Sequence, residues 1–298
     1  MKSKMIKKKV RHSLLPATIF IATSITVGLI AVRSSYAATQ SSVQNVTNAP
    51  KGLPPQVGER YTPMTTSALG DGYGVCQPLF CYYYAGASQS QITASGASVN
   101  FTQAKPRLGT ADYHTLTELA VQSSDGQQIV EVGWIVAPAI NGDLEPHIFV
   151  YHWVNRVPTC YNGCGFVGVA TPVPAGGKVK VGAVGTFKIQ YASSRWNVYY
   201  NGNRIGYYPE SLWSGKYTSA GLIQVFGEVS ATDKGAPLSQ MGNGLIGSNI
   251  HSAAIDHFTL FNTKSAPALY DYRYGNPRAY SIGVSNATSL HFGGPGGY

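Results

Sequence analysis

One stretch, Gln128–Pro138 (Gln-Ile-Val-Glu-Val-Gly-Trp-Ile-Val-Ala-Pro), limits the possible folds of this chain more than any other. Side chains alternate between the two faces of an extended strand. Val130, Val132, Trp134 and Val136 therefore share one face, and Ile129, Glu131, Gly133 and Ile135 share the other. Both faces are apolar, so the strand has to be covered on both sides. Glu131 nevertheless sits in its middle, where a carboxylate is costly to bury unless it is protonated, hydrogen-bonded or paired.

Similar short segments follow one another without a convincing helix. Cys81–Ile92, Ala97–Gln103, His114–Gln122, His147–Val154, Gly165–Ala170, Lys178–Val184, Thr186–Ala192, Gly221–Ser230 and Ala253–Asn262 all read as strands. Asp125-Gly126 and Asn141-Gly142-Asp143 mark turns. Arg195–Tyr200 and Asn203–Tyr208 flank Asn201-Gly202, whose residues supply the positive φ of a tight hairpin. Pro209–Trp213 is placed to start one short helix. The tail after Lys264, rich in Gly, Tyr and Pro, is read as irregular. Short strands separated by Gly-rich turns predict an all-β, antiparallel sandwich of two packed sheets, with one folded domain over residues 73–298.

Composition agrees, since only 12% of the 298 residues are charged while Gly (34) and Tyr (20) are plentiful. The formal charge of +9 is misleading, because residues 1–37 hold seven of the 22 basic residues and no acid. The remainder carries 15 basic against 13 acidic residues and has no basic patch for nucleic acid. Residues 1–37 combine a basic start, the apolar run Leu14–Val32, and Ser35-Tyr36-Ala37 before Ala38. This is the pattern of a cleaved export signal, with an uncleaved anchor as the alternative. The expectation is a secreted, monomeric protein that has no membrane contact once the signal is removed. Residues 38–72, rich in Ser, Thr, Gln, Asn and Pro, read as a disordered linker or a short pro-segment.

Export permits disulfides. Four cysteines allow three pairings. The local one, Cys76 with Cys81 and Cys160 with Cys164, is the simplest, and it is favoured over a four-thiolate zinc site.

Of the thirteen acids, four lie inside strands: Glu118, Glu131, Glu228 and Asp256. Glu118 has Leu119 and Val121 on the opposite face and is read as pointing to solvent. Asp256 shares a face with Phe258 and Leu260 and is assigned a structural hydrogen bond. Glu228 repeats the situation of Glu131, a carboxylate in a doubly apolar strand with glycine beside it. In both places the glycine is read as leaving room for a substrate backbone. Two convergent glutamates would couple, one keeping its proton well above the usual range, so that one residue type supplies both an acid and a base. No metal-binding histidine spacing, Gly-x-Ser-x-Gly elbow, free thiol or phosphate-cradling loop competes, and no metal or cofactor is expected.

Several ordered motifs resemble the neprosin family. They are Glu131-Val-Gly-Trp-Ile-Val, the aromatic His147–Trp153 strand, Cys160-Tyr-Asn-Gly-Cys-Gly-Phe-Val, and Arg195-Trp-Asn-Val-Tyr-Tyr-Asn-Gly-Asn-Arg-Ile-Gly-Tyr-Tyr-Pro-Glu. Phe226-Gly-Glu-Val, Ser239-Gln-Met-Gly-Asn-Gly and Phe292-Gly-Gly-Pro-Gly continue the series. The resemblance, to a bacterial-like member, implies a secreted glutamic endopeptidase of β-sandwich fold that acts on protein or peptide substrates, the plant members cleaving after proline. The family's two catalytic glutamates fall on Glu131 and Glu228. Trp134, Gln240, Tyr207 and Tyr208, in matching motifs, are expected to line the cleft. The chain departs from the plant pattern in its shorter Cys160–Cys164 loop, in the absence of a later cysteine pair, and in its far shorter segment before the catalytic region. Alternatives from other classes are a two-glutamate glycoside hydrolase and a non-catalytic carbohydrate-binding sandwich.

Overall fold

The structure, a computed structural model, describes residues 49–54, 75–76, 80–232, 237–274 and 279–297. All of them belong to one compact unit, Gln40–Tyr298. The proposed export signal, residues 1–37, lies outside the described residues.

In chain order the strands are β1 (Val75–Cys76), β2 (Phe80–Ala94), β3 (Gly96–Thr102), β4 (Asp112–Gln122), β5 (Ile129–Val136), β6 (His147–Val154), β7 (Val157–Pro158) and β8 (Val167–Gly168). They continue with β9 (Val184–Tyr191), β10 (Arg195–Tyr200), β11 (Asn203–Pro209), β12 (Ala220–Thr232), β13 (Ala253–Phe261), β14 (Tyr270–Tyr274), β15 (Ser281–Asn286) and β16 (Ser289–Gly293). Two antiparallel sheets result. The first runs β1-β2-β12-β4-β5-β6-β7, with β14 also paired to β2, and the second runs β15-β16-β13-β3-β9-β10-β11-β8. The expected β-sandwich is what forms.

The doubly apolar strand, β5, is covered on both sides. Val130, Val132, Trp134 and Val136 enter the core between the sheets with Phe101, Phe187, Ile189 and Val198. Ile129 and Ile135 join a second apolar cluster on the outer face of the first sheet, with Tyr82, Tyr84, Leu116, Phe149, Tyr151, Trp153, Tyr161 and Phe226. Ala49 and Leu53, from the stretch read as a linker or pro-segment, pack against that second cluster.

The Asn201-Gly202 hairpin forms as read, with φ of 47° and 78° at the two turn residues. Pro209–Trp213 gives a short 3-10 turn, Glu210–Trp213. Two expectations fail. Lys178–Val184 is mostly irregular, with a turn at Val181 and Gly182 (φ 81° at Gly182), and its alternation belongs to a surface loop where Val181 and Val184 are exposed. Conversely, the tail contributes β14, paired to β2, and β15 and β16, of which β15 is the edge of the second sheet and β16 lies between β15 and β13. Its pairing comes from neighbouring strands, which supply partners that local pattern does not reveal.

Candidate active site

Strand register brings the acids together. Within the first sheet β4 lies between β12 and β5. Glu228 of β12 is opposite Leu116, Glu131 of β5 is opposite Ala120, and Glu118 of β4 is opposite both Phe226 and Gly133. Leu116, Glu118 and Ala120 share one face of β4 by the two-residue period. The three glutamates therefore step diagonally across three adjacent strands on the outer face of the sheet, with Glu118 in the middle. All three are fully buried.

The centre of the site is a cation. Lys51 is 5% exposed and reaches Glu118 Oε2 at 3.1 Å, Glu228 Oε2 at 3.2 Å and Glu131 Oε2 at 3.4 Å. Glu131 and Glu228 both reach one nitrogen, so their Oε2 atoms are no further apart than the sum of those two distances. An ammonium has three N–H donors. Here they have three acceptors: Glu118 Oε1 at 3.2 Å, Glu228 Oε2 at 3.2 Å and the Gly52 carbonyl at 3.1 Å. The segment backbone is held as well. Gly52 N–H donates to Glu228 Oε1 (3.2 Å), while the Tyr161 and Tyr84 hydroxyls donate to the Pro50 and Leu53 carbonyls (3.1 and 3.2 Å).

The acids differ in their other partners, and this separates their proton affinities. Burial pushes every buried carboxyl up. For Glu228 that push is outweighed by the Lys51 charge and by His114, whose Nε2 lies 2.7 Å from Oε1, and its pKa is lowered. An ionised carboxylate only accepts hydrogen bonds, so Nε2 is the donor. Glu131 is raised to about 7 by burial and the nearby Glu228 charge, against the pull of Lys51 and a 2.9 Å hydrogen bond from Trp153 Nε1. Glu118 is held well above the carboxylate range by burial and by Glu131. Burial alone would lower the Lys51 pKa, but its three carboxylate partners hold it well above the ordinary lysine value. Three ionised acids around one ammonium would leave excess negative charge in a buried site, so burial and mutual repulsion favour the protonated forms of Glu118 and Glu131, while Lys51 and His114 favour the ionised form of Glu228.

Residues 111–295, more than half of the chain, match the sequence profile described as Neprosin. The chain belongs to the neprosin family. Among solved structures, scytalido-glutamic peptidase with a transition state analog inhibitor is similar over 71% of this chain and 97% of that one, at 10% identity and a TM-score of 0.46. SCP-B, a member of the eqolisin family of peptidases in complex with the tripeptide Ala-Ile-His, covers the same shares at 7% identity and a TM-score of 0.39. The carbohydrate binding module CBM66 from Bacillus subtilis is similar over 53% of this chain and 80% of that one, at 10% identity and 0.27. Likeness at these levels carries no argument about substrate or chemistry.

The neprosin motifs place their residues unevenly about this site. Glu131 and Glu228 converge, but the expected cleft residues do not join them. Trp134 lies in the core between the sheets and donates from Nε1 to the Thr102 carbonyl at 3.1 Å. Tyr208 is in the same core, beside His152, Phe166 and Trp213. Tyr207 belongs to β11 of the other sheet, under the guanidinium groups of Arg195 and Arg204. Gln240 ties loops to β4, its Oε1 accepting from Arg107 N at 2.9 Å and its carbonyl from Thr115 Oγ1 at 2.8 Å. Strand parity sends Trp134, three residues after Glu131, to the opposite face, while Tyr207 and Tyr208 belong to the second sheet and Gln240 to a loop.

Glu118 is also corrected. It does not face solvent, because Leu116 and Ala120 on its own face are as buried as Leu119 and Val121. Asp256 is part-exposed and beside His257, where a bulge breaks the alternation. The glycines beside the acids make room for the protein itself. A Cβ on Gly133 would lie 1.9 Å from the Thr117 carbonyl, and one on Gly227 would lie 2.6 Å from the Phe292 ring. Both local disulfides form, Cys76–Cys81 and Cys160–Cys164. The next residue after Cys160, Tyr161, is thereby fixed over the site, stacked edge-on against Tyr151 at 4.9 Å.

Proposed function

We propose that the chain is an exported glutamic endopeptidase in which Glu228 is the general base and Glu131 the general acid. Membership of the neprosin family supports a glutamic peptidase. The observation that carries the assignment of roles is the convergence of two buried glutamates with opposite proton affinities on one point. Ionised Glu228 takes a proton from water as the water oxygen attacks the scissile carbonyl carbon. Protonated Glu131 donates to the carbonyl oxygen and neutralises the developing oxyanion, giving a tetrahedral diol. Glu228 then passes its proton to the amide nitrogen, the C–N bond breaks, and Glu131 recovers its proton from a diol hydroxyl. No covalent enzyme intermediate, metal or cofactor enters this scheme.

The substrate is a protein or peptide, and cleavage after proline, the preference of the plant members, is proposed on the resemblance alone. Two disulfides fit an oxidising compartment, and no helix among the described residues is long and apolar enough to cross a membrane. The test is Glu131→Gln and Glu228→Gln, each assayed on proline-containing peptides at acidic pH and read by mass spectrometry. Each amide removes one of the two proton transfers, so the rate should fall by about a hundredfold or more. Full activity in either folded variant excludes the mechanism.

A further inference from the structure

Each proton transfer needs one particular oxygen of its glutamate, and the structure sets those oxygens apart. We propose that His114 and Trp153 are the positioning residues of the reaction. Each holds Oε1 of one glutamate through a ring N–H and leaves the two Oε2 atoms to converge as the working pair. The inference rests on the reading of Glu131 and Glu228 as the hydrolytic residues, and it adds which atom of each one reacts.

The same strand geometry produces both anchors. On the outer face of the first sheet, His114 is opposite Ser230, two residues after Glu228, and Trp153 is opposite Ile129, two residues before Glu131. Each ring is therefore a diagonal neighbour of its glutamate on the adjacent strand, β4 for Glu228 and β6 for Glu131. Ring side chains can reach across that diagonal. His114 Nε2 lies 2.7 Å from Glu228 Oε1, and Trp153 Nε1 lies 2.9 Å from Glu131 Oε1. The rings are only 1% and 3% exposed, so bulk water does not compete for either bond. Gly52 N–H donates to the same oxygen of Glu228 at 3.2 Å. The second oxygens share one point, since Oε2 of Glu228 and Oε2 of Glu131 lie 3.2 and 3.4 Å from Lys51 Nζ. Glu118 has no ring donor among the described residues and accepts from Lys51.

The chemistry of each ring fits the glutamate that it holds. An indole N–H can only donate, so Glu131 Oε1 has to accept. When Glu131 is protonated, its proton is therefore on Oε2, the oxygen that delivers it to the scissile carbonyl. An imidazole can donate and can also carry a charge. Burial pushes the Glu228 pKa up, Lys51 pulls it down, and His114 pulls it down further by its hydrogen bond and its charge. The base is thereby kept in its working form, with Oε2 turned toward the acid.

The test removes each donor while keeping an apolar side chain, in the full chain. His114→Phe should raise the Glu228 pKa. The base works ionised, so the acid limb of kcat/KM for a proline-containing peptide should move to higher pH. Trp153→Phe should raise the Glu131 pKa above its value of about 7. The acid works protonated, so here the alkaline limb should move to higher pH. The other titratable groups around the pair, Lys51, Glu118, Tyr82, Tyr84, Tyr151 and Tyr161, are the same in every variant. In both variants kcat should fall about tenfold or more with KM within about twofold, because a carboxyl group free to turn is misplaced for transfer. Carbon-13 NMR of the glutamate carboxyl groups reads the same two shifts without turnover.

Conservative variants should rescue. His114→Gln keeps an N–H close to the place of Nε2 and should recover most of kcat. Trp153→His keeps a ring nitrogen the same number of bonds from the backbone and should return the Glu131 titration to about 7 or below. His114→Met serves the first arm if a phenyl ring does not fold there. Limbs and carboxyl titrations that stay in place in the folded donor-free chains would overturn the proposal and leave the two rings as packing. A loss of rate that neither donor variant rescues would overturn it as well. Carboxyl shifts of the expected sign, in a protein whose wild-type chain cleaves no peptide, would uphold the anchors and remove the peptidase reading instead, so the two failures are distinguishable.

Discussion

Glu131 and Glu228 are the same residue type in similarly buried strands, and their partners separate them. Glu228 accepts hydrogen bonds from an imidazole, a backbone amide and an ammonium, and each of these favours its charged form. Glu131 accepts one indole N–H and meets the ammonium at 3.4 Å without further donors. The proposed assignment of base to Glu228 and acid to Glu131 rests on this count. It was not available from sequence, because His114 and Trp153 lie on other strands. A titration checks it. Lys51 lowers the Glu131 pKa, so its removal must raise it. Carbon-13 NMR of glutamate carboxyl groups should show Glu131 titrating near pH 7 in the full chain and at higher pH in Lys51→Met. A shift to lower pH would mean that the ammonium does not act on Glu131.

Among the elements, β4 and β5 have to approach closely for Glu118 and Glu131 to meet one nitrogen. Gly133 permits it, since it is opposite Glu118 and its missing side chain leaves space for the Thr117 carbonyl. Because that carbonyl is backbone, the strand itself would have to move. Gly133→Ala should therefore destabilise the domain by about 1–3 kcal/mol, the usual range for overpacking, as read from urea denaturation. An unchanged midpoint would show that the two strands separate freely. The glycine was conspicuous in the sequence, but its purpose was not, since register alone shows what lies opposite. The same holds for Glu118. Alternation assigned its face correctly, and only the cover on the outer face of the sheet, including Tyr161 and residues 49–54, turns that face into an interior. Strong local patterns such as β5, β6 and the Asn-Gly hairpin were legible because each determines its own conformation. The packed segment around Lys51 has no period, and its order comes entirely from contacts with distant strands.

For the whole molecule, the outer face of the first sheet is a second core with charge at its centre, closed by a segment far from it in sequence. Such an arrangement depends on pH in a direction that can be worked out. The groups facing Lys51 are Glu118, Glu131 and Glu228, with His114 behind Glu228 and Tyr82, Tyr84, Tyr151 and Tyr161 around them. Lys51 lowers the proton affinity of each carboxyl, so its insertion releases protons and is favoured by higher pH. The attraction weakens as pH falls, as Glu118 with its raised pKa takes a proton and, at about 7, as Glu131 does. It weakens again below the ordinary carboxyl range, where Glu228, with its depressed pKa, is protonated in turn. The difference in melting temperature between the wild-type and Lys51→Met chains isolates this effect, because other titrations cancel. It should be about 5 °C or more in favour of wild type near neutral pH and should shrink steadily toward zero as Glu228 is protonated. A difference independent of pH would mean that Lys51 stabilises the domain by packing of its alkyl chain, with no contribution from the carboxylates.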